Sequence, residues 1–243
     1  MTPVRLLVTR PEPDAARTAA LLRARGHEVL TAPVLRVDAM APELGSGPWS
    51  GLLLTSANAA RALAAHPRRR ELYDAAVLAV GRRTADAARD AGFADVSSAD
   101  GDVAALADLA AKKFAGTGAR LIYLAGEDRA GDLAENLSRR GLDVETVTIY
   151  RAAAVPALAP EVQTAIAARE IDGVLHYSRR SAAAFLAGVA RGDIPPAALG
   201  LAHYCLSAEV AAPLAAAGAQ TIHIAARPDE AALIDLLDAR RGA

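Results

Sequence analysis

Cysteine is nearly missing from this chain: its 243 residues hold one, Cys205. A single thiol excludes an intramolecular disulfide framework and a cysteine-rich zinc site. Its setting in the apolar run LAHYCL fits a buried strand position rather than a reactive thiol. Aromatic residues are scarce too, at 4%, too few for the stacking platforms that hold nucleic-acid bases. Neither sign of charge dominates. The 27 Lys plus Arg face 28 Asp plus Glu, a net charge of −1, without the basic excess of a nucleic-acid binder. No apolar run approaches the ~18 residues of a membrane span, and the opening MTPVRLLVTRPEP is too briefly apolar for a signal-peptide core. These absences predict a cytoplasmic protein with no membrane or nucleic-acid partner. The five histidines, His27, His66, His176, His203 and His223, never stand four apart or beside clustered carboxylates, so no metal site is expected. The chain has no GxxxxGK[ST], no GxGxxG after a strand and no GxSxG, which leaves nucleotide cofactors and an esterase-type serine without support. No cofactor is expected.

What is present is core material: 53% apolar and 23% charged residues, the balance of a globular protein of one large or two small domains. A short apolar run, a polar turn and an alanine-rich amphipathic stretch closed by glycine recur, the signature of βαβ units and a parallel sheet. In the first unit VRLLV (4–8) reads as a buried strand, TRPEPD as its loop, and AARTAALLRARG as a helix stopped at Gly26. The theme returns at 51–65, 75–93, 119–150, 172–189 and 201–225, with further helices over 102–114 and in RPDEAALIDLLDARR. Single strand–helix–strand units alternate with double ones in the order 1–32, 51–97, 119–149 and 172–225. Two strands from each single unit and three from each double one predict two flavodoxin-like domains, each a five-stranded parallel sheet flanked by helices. Contiguous and nested pairing of the units both satisfy this pattern. The Pro-bearing stretches PVLRVDAMAPE (33–43) and YRAAAVPALAP (150–160) bracket the middle segment like a paired hinge, which favours nesting.

A small hydroxyl residue or glycine recurs where a strand runs into a helix: Thr9-Arg10, Thr55-Ser56, Gly81 to Thr84, Gly126 to Arg129, Ser178 to Ser181, and Ser207. Ligands of parallel α/β sheets bind at these carboxyl ends, where helix N-termini offer unpaired N–H groups and a positive dipole end. Each serine or threonine alone is an ordinary N-cap. Six such turns, four of them with arginine, point to a polyanionic ligand clasped between two domains. The candidate binding residues are Thr9, Arg10, Thr55, Ser56, Gly81, Thr84, Gly126, Ser178 and Ser207. Tyr150 ends VETVTIY at the second Pro-bearing stretch. A phenol there can donate a proton or can simply pack at the hinge, and both roles remain open.

The segments LLVTRPEPDAARTAALLRARGHEVLTAPVL, LLLTSANAARAL, AVGRRTADAARDAGF and VETVTIYRA, in that order, resemble uroporphyrinogen-III synthases over nearly the whole chain. The resemblance implies two α/β domains joined by a two-stranded linker, with the inner inserted in the outer. On this chain that is an outer domain of 1–34 plus 155–243, an inner domain of 40–149, and linker strands 35–39 and 150–154. It also implies a hydro-lyase without cofactor, acting as a monomer on hydroxymethylbilane, an octacarboxylate linear tetrapyrrole. Tyr150 matches the tyrosine the family offers as an acid for water loss. One departure stands out: aligned on Gly92 and Gly218, Ser207 falls opposite Gly81 and Val210 opposite Thr84, so the second Gly-x-x-Thr turn is lost. In HYSRR, likewise, Tyr177 takes the place of a threonine. Two other readings compete. A non-enzymatic two-domain anion-binding protein would bind a small anion without turnover, and a degenerate synthase paralogue would serve as an assembly partner.

Overall fold

The computed structural model describes residues 3–128 and 133–241. Along the chain the elements are β1 (Arg5–Val8), α1 (Asp14–Ala24), β2 (Glu28–Thr31), β3 (Leu35–Ala39), β4 (Gly51–Leu54), α2 (Ala57–Ala64), β5 (Ala76–Ala79), α3 (Arg82–Asp90) and β6 (Val96–Ser98). There follow α4 (Val103–Phe114), β7 (Arg120–Gly126), α5 (Leu133–Arg139), β8 (Asp143–Ala154) and α6 (Pro160–Ala167). The chain finishes with β9 (Gly173–His176), α7 (Arg179–Arg191), β10 (Ala202–Cys205), α8 (Ala208–Ala216), β11 (Ile222–Ile224) and α9 (Glu230–Arg241). The central strands GLLL, AVLA and GVLH are buried at every position, as strands covered by helices on both faces must be. The helices stop where the sequence places glycine: Gly26, Gly92, Gly192 and Gly218 all have φ between 80° and 98°, a backbone that costs glycine nothing.

The fold is α/β, with parallel sheets flanked by helices. Two compact units divide it, Met1–Arg36 with Ala153–Ala243, and Val37–Ala152. The first holds a sheet in the order β11-β10-β9-β1-β2, every pairing parallel. Its core lies on both faces, around Phe185, Val174 and Leu214 on one side and Leu6, Leu22 and Leu233 on the other. The second holds the order β3-β8-β7-β4-β5-β6, with cores around Leu52, Ile122 and Ile149 and around Leu53, Leu106 and Phe114.

The second sheet corrects the expected count. It has six strands, not five, because β3 joins its edge. Met40 N–H donates to Ile149 O at one end of that pair and Val155 N–H to Val34 O at the other, so β3 and β8 run in opposite directions. Residues 150–154, which lie opposite 35–39, follow without a break from the strand before them. They continue β8, which runs unbroken from Asp143 to Ala154, so Tyr150 sits inside a strand rather than at its end. Nothing in the local apolar pattern marks this continuation, because the pairing partner of 150–154 lies over a hundred residues upstream.

Candidate functional site

In a parallel sheet the strand ends that feed helices form one rim, and each unit has such a rim. In the second unit β4 ends at Leu54 and passes through Thr55 and Ser56 into α2. The Thr55 hydroxyl lies 3.0 Å from the Tyr123 hydroxyl. Ser56, in extended conformation, caps α2 by accepting from Asn58 N–H at 3.1 Å. β5 leads through Gly81 into α3, and here no side chain caps the helix. The first-turn N–H groups of α3 therefore have no side-chain acceptor at the cap, and intrahelical bonding cannot supply one for the first of them. Arg82 and Arg83 are exposed in this turn, Arg82 only loosely paired to Asp100 at 3.4 Å. Thr84, whose backbone N–H donates to Gly81 O at 3.0 Å, is buried, at 6% exposure.

At the end of β7 the backbone slips register. Ala125 stands opposite Thr148, but Gly126 stands opposite Tyr150, so β8 carries one extra residue there. The Tyr150 ring lies over Gly126: a Cβ on that glycine would stand 2.6 Å from Cζ and 2.8 Å from the hydroxyl oxygen. Tyr150 is half-buried against the core of its unit, and among the described residues its hydroxyl takes no hydrogen bond. Glu127 and Asp128 follow, exposed; Arg129, which completed the expected turn, lies outside the described residues.

The rim of the first unit is built differently. The Thr9 hydroxyl is fully buried and donates to Leu175 O at 2.7 Å. Arg10, 5% exposed, reaches Thr18 at 3.1 Å and Glu230 at 3.0 Å, faces Asp14 at 3.5 Å, and stacks 4.2 Å from the centre of the Tyr177 ring. Burial pushes the Glu230 carboxyl up, but hydrogen bonds from Thr18 and Arg17 and the nearby arginine charges outweigh it, so the group lies below its usual range. Burial, and then the Glu230 charge, push the Tyr177 phenol up despite Arg10. Thr9 and Arg10 were expected to meet the ligand; the structure instead commits both side chains to the fold. Ser178 caps α7, accepting from Ser181 N–H at 3.1 Å, and Ser207 caps α8, accepting from Val210 N–H at 3.4 Å. Behind this rim His176 and His203 are fully buried with ring nitrogens 3.1 Å apart. Burial first, then the neighbouring ring, lowers His176 to about 3, and burial lowers His203.

Register relates the two rims. Leu6, Gly173 and Ala202 lie level across the first sheet, and Leu121, Gly51 and Ala76 across the second. Counting from these rows, Ser178 matches Ser56, Tyr177 matches Thr55, Ser207 matches Gly81, Glu209 matches Arg83 and Val210 matches Thr84. One rim thus keeps a helix start without a side-chain cap, bearing arginines, and a phenol whose hydroxyl is unbonded among the described residues. The other caps its helix starts and fills its side-chain space with an ion cluster. Sequence reasoning missed Glu230, Asp14 and Tyr177 as the partners that engage Arg10; only the Arg10–Asp14 spacing of four carried a signal. Among the described residues no three His, Cys, Asp or Glu gather in a way that could hold a metal, and no helix is long and apolar enough to cross a membrane.

Comparison with known proteins adds the family. The family model described as "Uroporphyrinogen-III synthase HemD" matches residues 16–235. No curated protein matches the chain. Among solved structures, uroporphyrinogen-III synthetase from Helicobacter pylori is similar at 18% identity with a TM-score of 0.68, over 99% of this chain and 100% of that one. A mutant uroporphyrinogen III synthase from the extremely thermophilic bacterium Thermus thermophilus is similar at 18% identity with a TM-score of 0.51, over 98% of both chains. At that identity these two likenesses speak for the fold, and the family model, spanning most of the sequence, speaks for descent. The chain belongs to the uroporphyrinogen-III synthase family.

Proposed function

We propose that this chain closes hydroxymethylbilane into uroporphyrinogen III, with inversion of ring D and release of water. The observation that carries this reading is Tyr150 seated on Gly126 at a sheet rim, its hydroxyl without a hydrogen-bond partner among the described residues. In this reading Tyr150 gives its proton to the terminal hydroxyl of the substrate as the C–O bond breaks. The departing water leaves an electrophilic methylene, which the substituted α-carbon of ring D attacks to form a spiro intermediate. The old bond from ring D to its bridging methylene then breaks. A new bond forms at the free α-carbon of the now inverted ring and closes the macrocycle, and the proton lost from that carbon returns to the Tyr150 phenolate. No redox change occurs and no external group is consumed, so the protein acts without a cofactor.

What remains for the chain is to hold a flexible polyanion in the folded pose, and orientation of that kind removes much of a cyclisation barrier. The N–H groups at the starts of α2 and α3, beside Thr55, Ser56 and Gly81, and those at the starts of α7 and α8, beside Ser178 and Ser207, suit acetate and propionate carboxylates. Arg82 and Arg83 add positive charge at the start of α3. Thr9 and Arg10 act through the fold, and Thr84 supports the start of α3. We read the two units as copies of one flavodoxin-like domain, the inner within 40–149 and the outer in 1–34 with 155–243. The chain acts as a monomer in the cytoplasm.

The test is turnover of freshly made hydroxymethylbilane with isomer analysis of the product. Conversion to the type III isomer is expected; appearance of the spontaneous type I macrocycle alone sinks the assignment. Tyr150→Phe is expected to lower turnover about 100-fold without abolishing it, the low end of what a positioned acid supplies.

A further inference from the structure

We infer that Gly126 is a positioning residue for Tyr150: by carrying no side chain it leaves the seat in which the phenol ring rests. This rests on the reading of Tyr150 as the proton donor. Three features of the backbone converge on that ring. First, the extra residue in β8 shifts Tyr150 opposite Gly126, where unbroken register would bring Ile149; bulges of this kind re-aim a side chain at a sheet rim. Second, the chain at this point is held from both sides. Ile149 O accepts from Met40 N–H at 2.7 Å, and Tyr150 O accepts from Glu127 N–H at 2.9 Å, so the Tyr150 backbone cannot drift to make room. Third, the space above Gly126 is filled by the phenol itself: an added Cβ would lie 2.6 Å from Cζ, 2.8 Å from the hydroxyl oxygen and 3.0 Å from Cε2.

The chemistry of this close approach differs from that at Gly173 and Gly51. At Gly173 a Cβ would press on Ala202 O as well as the Tyr204 ring, and at Gly51 on Leu121 and Phe114 inside the core. Relief there costs the fold. At Gly126 the three nearest atoms all belong to the outer end of one half-buried side chain, which can swing away on its own torsions. A methyl group at 126 therefore moves the phenol rather than the sheet, and the hydroxyl is displaced from the place where the substrate needs it.

A double-variant cycle on the intact chain tests this. Gly126→Ala is expected to lower kcat about 10-fold with KM changed less than about 2-fold, the mark of an interaction made only in the transition state. In the Tyr150→Phe background the same substitution is expected to cost less than about 2-fold, because the hydroxyl it would misplace is already gone. Equal losses in both backgrounds, or no loss in the parent, overturn the role of Gly126 and leave Tyr150 untouched. A Tyr150→Phe variant as fast as the parent removes Tyr150 from the chemistry, and the positioning role with it. Should Gly126→Ala alone fail to fold, the Tyr150→Ala background decides: recovery of the fold there upholds the contact, and continued failure overturns it.

Discussion

A guanidinium buried as deeply as Arg10, with Asp14 and Glu230 against it and the Tyr177 ring beneath, holds its own carboxylates and has little reach for another's. Removing it would take that charge away from Asp14 and leave Glu230 to Arg17 and Thr18, in a poorly hydrated place. Arg10→Met is therefore expected to cost about 3 kcal/mol of stability while KM of the surviving folded enzyme stays near that of the parent; urea unfolding and steady-state kinetics separate the two effects. A large rise in KM at unchanged stability would restore Arg10 to the binding set. The His176–His203 pair behaves differently, because burial favours the neutral form of both rings. In the unfolded chain each takes a proton near the ordinary value of 6.5, whereas in the fold His176 resists until about 3. The unfolded state thus binds more protons below pH 6.5, so stability is full above that pH and falls as the solution is acidified. The slope is about 1.4 kcal/mol per pH unit for each ring held neutral. The lowered carboxyls of Glu230 and Asp238 add to acid loss only below their own ordinary range, which leaves pH 5 to 6.5 as the histidine window. Urea midpoints across that window should slope in the parent and flatten in a His176→Leu/His203→Leu double variant; parallel slopes would refute the assignment.

Helix starts are the elements in which the two rims diverge. Ser56, Ser178 and Ser207 each cap a helix with a side-chain oxygen, and each serves both the helix and the rim. Gly81 caps nothing with a side chain; its φ of −156° is ordinary extended backbone, and a Cβ there meets nothing within 4 Å. Gly81→Ser is consequently permitted and should raise stability by a few tenths of a kcal/mol. The new oxygen would also take up an N–H group otherwise open to a carboxylate and weaken the pull of the helix end, so KM should rise by about 2- to 5-fold. Opposite signs for stability and affinity are the expected result, read by thermal unfolding and by kinetics, and a lower KM would show that the open helix start is not used. Much at this scale was legible beforehand. VRLLV, GLLLT and AAVLAV carry short apolar runs bounded by turns, which read as buried strands, and Gly26, Gly92 and Gly218 announce the helix stops. The side-chain economy of the turns was not legible. Thr9 and Thr55 look alike in sequence, yet one hydroxyl is sealed against Leu175 O and the other meets Tyr123. Arg10 looks like a free cation until Glu230, brought close from 220 positions away, is seen beside it. Caps and periodicity are local properties; ion clusters and register slips depend on partners that no window of sequence contains.

For the molecule as a whole, local pattern supplied the number of strand–helix units but left contiguous and nested pairing both open, since each unit reads the same in either. Tertiary geometry supplies the strand orders and a further consequence. Val155 N–H donates to Val34 O at 3.0 Å, so the two places where the chain passes between its compact units lie side by side. Removing residues 35–154 therefore leaves two ends already within bonding reach, and a two-residue Gly-Ser bridge from Val34 to Val155 needs no rearrangement of β1, β2 or α6. The removed piece begins with β3 and ends with β8, which pair with each other, so its own ends are tied into its sheet rather than frayed. Each piece retains buried apolar clusters on both faces of its sheet and falls within the ordinary size of a domain. Both are expected to unfold cooperatively in urea, followed by far-UV circular dichroism, and neither is expected to form the type III macrocycle, because the proposed binding residues are divided between the two pieces. A bridged outer piece that binds a hydrophobic dye and melts without a cooperative transition would show that its sheet depends on the inserted segment. Production of type III isomer by the inner piece alone would confine the chemistry to the rim that carries Tyr150 and make the capped rim dispensable.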